Sequence, residues 1–122
     1  MQVAEDQNRE LSDAALALIA ERFKVLAEPM RLRILHTLGG GELGVSEIIA
    51  AVGGLQANIS KQLGVLLQAG LVRRRKQGLR VFYRVADATF FELCQLVCSS
   101  LHERLAAQVE EIESAVALRK GA

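Results

Sequence analysis

Aromatic residues and proline are scarce in this sequence of 122 residues: aromatic side chains make up 4% of it, tryptophan is absent and proline occurs once. Because 51% of the residues are nevertheless hydrophobic, the core must be built mainly from aliphatic side chains, which suits packed helices. The length is that of a single domain with one modest core.

Long hydrophobic runs are also missing. No segment approaches the roughly 18 to 20 apolar residues of a membrane span. The first ten residues, MQVAEDQNRE, are polar and acidic, unlike a secretory signal. We therefore expect a cytoplasmic protein, in which the two cysteines are more typical of thiols than of a structural disulfide.

Acidic residues are absent between Glu47 and Asp87. Seven lysines and arginines give that interval a formal charge of +7, whereas the segments before and after it each carry −3. The overall charge of +1 therefore hides a contiguous polycation. Such a stretch favours a polyanionic partner.

Two helices are predicted before the basic stretch. Ser12 or Asp13 can cap the first helix, and Glu28-Pro29 ends it, because the residue before proline avoids the helical region. Pro29 suits the first turn of the second helix, which ends in the glycines at 39–41. The link over residues 42–45 is short and extended, and it can pair as a third strand with the hairpin predicted further along the chain.

Residues 46–86 begin with two more helical patterns. Ser46 is the predicted cap of a short helix that ends at Gly53-Gly54. From Leu55, apolar residues at helical spacing predict a second helix that ends at Gly70, a residue suited to the left-handed cap conformation. The outer side of this second helix carries amides, a hydroxyl and one lysine.

A basic hairpin follows these helices. Residues 72–76 and 80–85 flank a turn at 77–79, and Val81, Tyr83 and Val85 alternate as in a half-buried strand. Helix, turn, helix and basic hairpin form the layout of a winged helix-turn-helix. A helix of this kind fits the major groove of B-DNA, and arginines on a hairpin can contact phosphates or the minor groove.

The run NISKQLGVLLQAGLVRRRKQGLRVFYRV resembles the recognition helix and wing of the ArsR/SmtB family of bacterial transcriptional repressors. The family pattern is close to S-x-H-L-x-x-L-x-x-x-G-L-V, followed by basic residues, a glycine and a Y-x-L/V strand. Upstream, KVLAEPMRLRILHTL is similar to the family's A-x-P-x-R-x-x-I-L segment, so the resemblance covers roughly residues 20 to 105. Gln62 stands where the family commonly has histidine, which leaves a donor and an acceptor in place.

The resemblance implies a mainly α fold with a small β-hairpin: about five helices and a two-stranded wing, dimeric through the first and last helices. We predict a flexible arm over residues 1–10, one winged-helix domain for DNA binding and dimerisation over 11–118, and a tail over 119–122. The expected partner is a palindromic operator in double-stranded DNA, read by two recognition helices about 34 Å apart. The residues predicted to contact DNA are Gln56, Asn58, Ser60, Lys61 and Gln62 in the major groove, and Arg73, Arg75, Lys76 and Arg80 at phosphates or the minor groove.

The last helix, predicted from Asp87 to about Leu118, carries Cys94, Cys98 and His102 four residues apart. Neighbours at this spacing share a helix face, so two thiolates and an imidazole are candidates to bind one ion. Soft thiolates favour zinc, copper(I) or trivalent arsenic or antimony. The resemblance implies an inducer that releases the operator, and we rank a metalloid at the cysteines first. The alternative is that the cysteines only pack, because cysteine is among the most buried residue types.

Known metal sites of the family do not match this chain. Cadmium and lead sensors carry E-L-C-x-C, where this sequence has Glu42 to Ser46 without a thiol. Zinc sensors place histidines where this sequence has Thr89 and Ser100. Persulfide sensors pair a last-helix cysteine with one far upstream, and no cysteine precedes Cys94.

Other functions remain open beside the metalloid-sensing repressor. A thiol-redox switch ranks lower, because Cβ atoms four residues apart on a helix are about 5 to 6 Å apart and a disulfide needs about 3.5 to 4.5 Å. A ligand-insensitive regulator and a winged-helix protein-interaction module are further alternatives, and the last predicts DNA binding that is absent or insensitive to salt. An enzyme is not expected, since the sequence has neither a glycine-rich phosphate loop nor an H-E-x-x-H motif.

Overall fold

A computed structural model describes the backbone over residues 10–121 and the side chains over residues 10–116. Contacts divide it into two compact units, with the boundary between Asp87 and Ala88. The elements, in chain order, are α1 (Asp13–Leu26), α2 (Pro29–Thr37), a 3-10 turn (Leu38–Gly40), β1 (Leu43–Gly44), α3 (Val45–Val52), α4 (Gln56–Gln68), β2 (Val72–Gln77), β3 (Arg80–Val85) and α5 (Thr89–Gly121). Five helices and a basic hairpin agree with the predicted fold class.

The start of α1 and its junction with α2 agree with the sequence prediction. The Ser12 hydroxyl caps α1 by accepting a hydrogen bond from the Ala15 N–H at 3.1 Å. Pro29 occupies the first turn of α2, and the Glu28 carboxylate caps that helix by accepting from the Met30 N–H at 3.0 Å. Each boundary is therefore fixed by a local side chain, as the pattern indicates.

The start of α3 differs from the prediction. The helix begins at Val45 with Gly44 as its N-cap, so Ser46 lies inside the first turn and the prediction of Ser46 as the cap is wrong. Gly44 pairs with Phe82 in the sheet, so the chain passes directly from strand into helix, two residues earlier than a serine cap at position 46 requires. The carboxylate of Glu47 accepts a hydrogen bond from the Gly44 N–H at 3.2 Å and satisfies that donor.

The end of α4 is set by Gly70. This glycine has φ +75°, in the left-handed region that an L side chain rarely adopts. The Leu71 N–H then donates to the Leu66 carbonyl at 3.0 Å and closes the last turn. Leu71 and Val72 are buried immediately after this cap, so β2 starts against the core on which α4 packs.

The wing is part of a three-stranded antiparallel sheet with strand order β1-β3-β2. β2 and β3 pair from Val72 opposite Val85 to Gln77 opposite Arg80, which leaves a two-residue turn with Gly78 at φ +61°. β1 pairs with β3 through Leu43 opposite Tyr83. The extended link before α3 therefore forms the third strand that its sequence allows.

The last helix, α5, is 33 residues long and forms most of the second unit. It begins two residues after Asp87 and continues to Gly121. The predicted arm over residues 1–10 falls almost entirely outside the described residues. Its separation from a domain over 11–118 and a tail over 119–122 stays a prediction. Among the described residues, no helix is long and apolar enough to cross a membrane.

Candidate nucleic-acid interface

The recognition helix α4 is amphipathic. Its inner side carries Ile59, Leu63 and Leu66, which are fully buried in the core where α4 packs against α2 and α3. Gln56, Asn58, Ser60 and Lys61 are exposed on the other side. Burial of the apolar stripe thus turns four of the five predicted major-groove residues toward solvent.

The fifth predicted residue, Gln62, has a different orientation. Its side chain is only 8% exposed, and its Oε1 accepts a hydrogen bond from Arg31 Nε at 2.7 Å. The predicted contact of Gln62 with the major groove stays a prediction, and in this chain its side chain is directed toward α2 instead of solvent. An arginine on α2 faces this position, and a buried amide needs a hydrogen-bonding partner. No feature of the α4 pattern alone places that arginine there.

The amide nitrogen of Gln62 continues this contact along α4. Gln62 Nε2 donates to Asn58 Oδ1 at 3.1 Å, one helical turn away. Arg31 is itself held by the chain, because its Nη1 donates to the Val25 carbonyl at 3.1 Å near the end of α1. An exposed residue of the recognition helix is thus linked to the end of α1 through two partly buried side chains.

The wing presents an exposed row of cations. Five of the six residues of β2 are exposed, including Arg73, Arg75 and Lys76, and Arg80 is exposed at the start of β3. All four predicted wing contacts therefore lie on the surface. Leu79, at the turn, is completely exposed beside them.

Two of these arginines are already paired within the chain. Arg75 donates to both carboxylate oxygens of Glu42, with its closest contact at 2.6 Å, and Arg80 contacts Glu47 at 3.2 Å. Hydrogen bonds from Arg75 hold the pKa of the Glu42 carboxyl below its ordinary value. Part of the cationic charge that the sequence assigns to the wing is therefore balanced by the acidic segment preceding it.

Phe82 completes this wing cluster, which comprises Glu42, Glu47, Arg75, Arg80 and Phe82. The guanidinium carbons of Arg75 and Arg80 lie 4.7 and 4.8 Å from the centre of the Phe82 ring, within cation–π range. A Cβ added at Gly44 would lie 3.1 Å from both Arg80 Nη2 and Glu47 Oε1, so this position favours glycine. The sequence predicts this cluster only through the extended link that forms β1. Because β1 pairs with β3, the preceding Glu42 comes close enough to contact Arg75 of β2.

A groove of about 430 Å³ separates the recognition helix from the tip of the wing. It can accept a sugar-phosphate backbone, because hydroxyl, amide and guanidinium groups face it and no carboxylate does. Its lining residues are Val45, Ser46, Ile49, Gln56, Ser60, Leu79, Arg80 and Val81.

The cysteines of α5 are thiols one helical turn apart. Cys94 is half-buried and Cys98 is exposed, and burial together with the nearby Cys98 raises the pKa of the Cys94 thiol. Within the described residues, no three histidine, cysteine or acidic side chains are grouped to hold a metal ion. His102 is eight residues from Cys94, about 12 Å along the axis. The metal-binding roles of Cys94, Cys98 and His102 therefore stay predictions.

A tri-helical core with an exposed recognition helix and a paired basic wing defines a winged helix-turn-helix domain, a class of protein that binds DNA. Residues 26–75 match a family model described as a helix-turn-helix domain. An uncharacterised HTH-type transcriptional regulator of Mycobacterium tuberculosis, Rv0081, is 37% identical over 103 residues, which is 84% of this chain and 90% of that protein. Its crystal structure superposes with a TM-score of 0.72, covering 80% of this chain and 99% of that one.

Two further solved structures are similar. The homodimeric winged helix-turn-helix domain of a possible ArsR-family regulator from Mycobacterium bovis is 37% identical, with a TM-score of 0.64, covering 75% of this chain and 90% of that one. The antimony-specific transcriptional repressor AntR is 32% identical, with a TM-score of 0.70, covering 82% and 92%. This chain belongs to the ArsR/SmtB family of winged helix-turn-helix transcriptional repressors.

Proposed function

We propose that this protein is a homodimeric repressor that binds a palindromic operator and releases it when an inducer binds. The observation that carries the proposal is the exposed polar face of α4 beside the basic wing. Gln56, Asn58, Ser60 and Lys61 have the hydrogen-bonding groups that read base edges. Arg73 and Lys76 supply cations for phosphates. Among the described residues neither forms an ion pair with an acid, unlike Arg75 and Arg80.

Dimer formation is supported by apolar side chains that the single chain leaves exposed. On α1 these include Leu16, Ile19 and Phe23. On α5 a stripe at helical spacing continues beyond the cysteines, with members Val97, Leu101, Leu105, Val109, Ile112 and Val116. Exposed apolar surface of this extent is typical of a protein interface, and the similar M. bovis domain is a homodimer. A two-fold dimer would place two recognition helices on a palindrome.

Fluorescence anisotropy with DNA from upstream of the protein's own gene tests DNA binding. We expect the affinity to fall steeply between about 50 and 200 mM salt, because the wing displaces counterions from phosphates. Lys61→Gln should weaken binding, whereas the matched variant Lys24→Gln, which removes an exposed charge from α1, should not. Binding that is absent or independent of salt would instead indicate a winged-helix protein-interaction module.

We propose further that the inducer is a trivalent metalloid bound by Cys94 and Cys98. Their sulfurs lie one turn apart on α5, and soft thiolates suit arsenic and antimony. The similarity to an antimony-specific repressor supports this chemistry. A third ligand would come from a second copy of the chain or from solvent, because one chain groups only two thiols.

Adding arsenite, antimonite, zinc or a thiol oxidant to the protein–DNA complex tests the inducer. We expect arsenite or antimonite to release the wild type and leave Cys94→Ser/Cys98→Ser bound. Trivalent arsenic binds as the neutral hydroxide, and each As–S bond formed from a thiol releases one water and no net proton, so its affinity should change little between pH 6 and 8. Zinc, which displaces the thiol protons, should instead bind more tightly as the pH rises, because the pKa of Cys94 is raised. Release by the oxidant alone would favour a thiol-redox switch. If the wild type and the double variant bind DNA identically under every condition, the cysteines only pack in the protein.

A further inference from the structure

The hydrogen bonds between Arg31, Gln62 and Asn58 have a fixed polarity. Arginine carries only donors, so the group of Gln62 that faces Arg31 must be its amide oxygen. The Gln62 NH₂ group then points the other way, toward Asn58, and the group that receives it must be the Asn58 oxygen. Arg31 therefore determines the orientation of two amides that could otherwise each rotate by half a turn.

The last group in this series is the NH₂ of Asn58. One lone pair of Asn58 Oδ1 is taken by Gln62, and Asn58 is exposed on the outer side of α4. An asparagine that is free to rotate can offer either a donor or an acceptor to a base. Here the oxygen is directed toward the protein, so the donor end is the one available to DNA.

We propose that Arg31 and Gln62 are positioning residues that set the base read by Asn58. This inference rests on the proposed DNA-binding function. With its donor presented, Asn58 selects a base edge that offers an acceptor in the major groove: N7 or O6 of guanine, N7 of adenine or O4 of thymine. A two-point contact with adenine, which needs the amide oxygen as well, falls instead to Gln56.

Gln62 is the residue whose substitution separates this inference from a merely structural role. Gln62→Glu keeps the shape and still accepts from Arg31, but the group facing Asn58 becomes an acceptor. Asn58 must then turn its NH₂ toward residue 62 and present its oxygen to DNA. The selected base should therefore shift toward cytosine, whose only hydrogen-bonding group in the major groove is the N4 donor. Gln62→Met removes both hydrogen bonds and leaves Asn58 free to rotate.

The test is selection of binding sites from a randomised DNA library with the full-length protein and its variants. Asn58→Ala identifies the base position that Asn58 reads, where it should lower the preference at least about fivefold. Gln62→Met should relax that same position, and Gln62→Glu should reverse its preference. Gln68→Glu, an exposed glutamine on the same helix that takes no part in these hydrogen bonds, controls for the added charge and should keep the wild-type preference.

The outcomes distinguish the two proposals. If the wild type selects no sequence, the proposed function and this inference both fail. If it selects an operator and Gln62→Glu and Gln62→Met keep the wild-type base at the Asn58 position, the inference alone is overturned. Should Gln62→Glu not fold, as judged by its thermal transition, Arg31→Lys and Arg31→Met decide the matter. The lysine retains a donor and should preserve the preference, and the methionine should relax it.

Discussion

The recognition helix and the wing face the same partner but are held in place by different forces. α4 is fixed by a fully buried apolar stripe at Ile59, Leu63 and Leu66. β2 buries only Val72 and β3 only Tyr83, and beyond these two side chains the wing depends on its hydrogen-bonded ladder and on the exposed ion pairs of the wing cluster. Apolar burial is insensitive to salt, whereas exposed ion pairs weaken as salt screens them. We therefore expect α4 to keep its position as the salt concentration rises, whereas the wing should be held less firmly.

The largest effect expected from this difference is on stability. Ile59→Ala removes a fully buried side chain beneath α4 and should lower the free energy of unfolding by about 2 to 5 kcal/mol. Val81→Ala, at a half-buried position in the wing, should cost about 1 kcal/mol. Urea denaturation at one fixed protein concentration measures both. Equal costs would show that the wing is anchored by apolar packing as firmly as the helix.

A second prediction separates the wing arginines that form ion pairs, Arg75 and Arg80, from Arg73, which pairs with no acid among the described residues. Arg73→Gln should reduce the slope of log affinity against log salt by about 0.9 for each wing, because one phosphate contact is lost. Arg75→Gln should reduce it less, since Glu42 already balances that charge. Glu42→Gln should tighten DNA binding, because it removes a carboxylate and releases Arg75. Slopes that change equally for Arg73 and Arg75 would contradict this division.

The sequence predicts the elements better than it predicts these contacts. Caps and breakers such as Ser12, Pro29 and Gly70 act on their immediate neighbours, so their spacing is enough to place helix ends. The orientation of Gln62 and the pairing of Glu42 with Arg75 join residues 31 and 33 positions apart. A helical wheel places Gln62 on the edge of the stripe and cannot include an arginine from another helix. Charge counted along the chain likewise misses acids that the sheet brings beside the wing.

A smaller effect is expected at Gly44, where the wing cluster meets α3. In Gly44→Ala the new Cβ would crowd Arg80 Nη2 and Glu47 Oε1, each 3.1 Å away. Both are ends of flexible side chains, so they should move apart at a cost of about 1 kcal/mol or less in thermal stability. Ala50, which is exposed further along α3, provides a control through Ala50→Ser. A loss as large as that of Ile59→Ala would mean that this contact supports the core.

The smallest predicted effect is a titration. Because Arg75 lowers the pKa of Glu42, the contribution of this carboxylate to folding is present above its unfolded pKa and is lost as the pH falls through the lower, folded value. Carbon-detected NMR should therefore place the Glu42 midpoint below the ordinary value of a glutamate side chain. Arg75→Gln should move the Glu42 midpoint upward, whereas Arg73→Gln should move it little, because Arg75 is the hydrogen-bonding partner. If the midpoint of Glu42 is the same with and without Arg75, the pair does not persist in solution, and Arg75 would then be as available to DNA as Arg73.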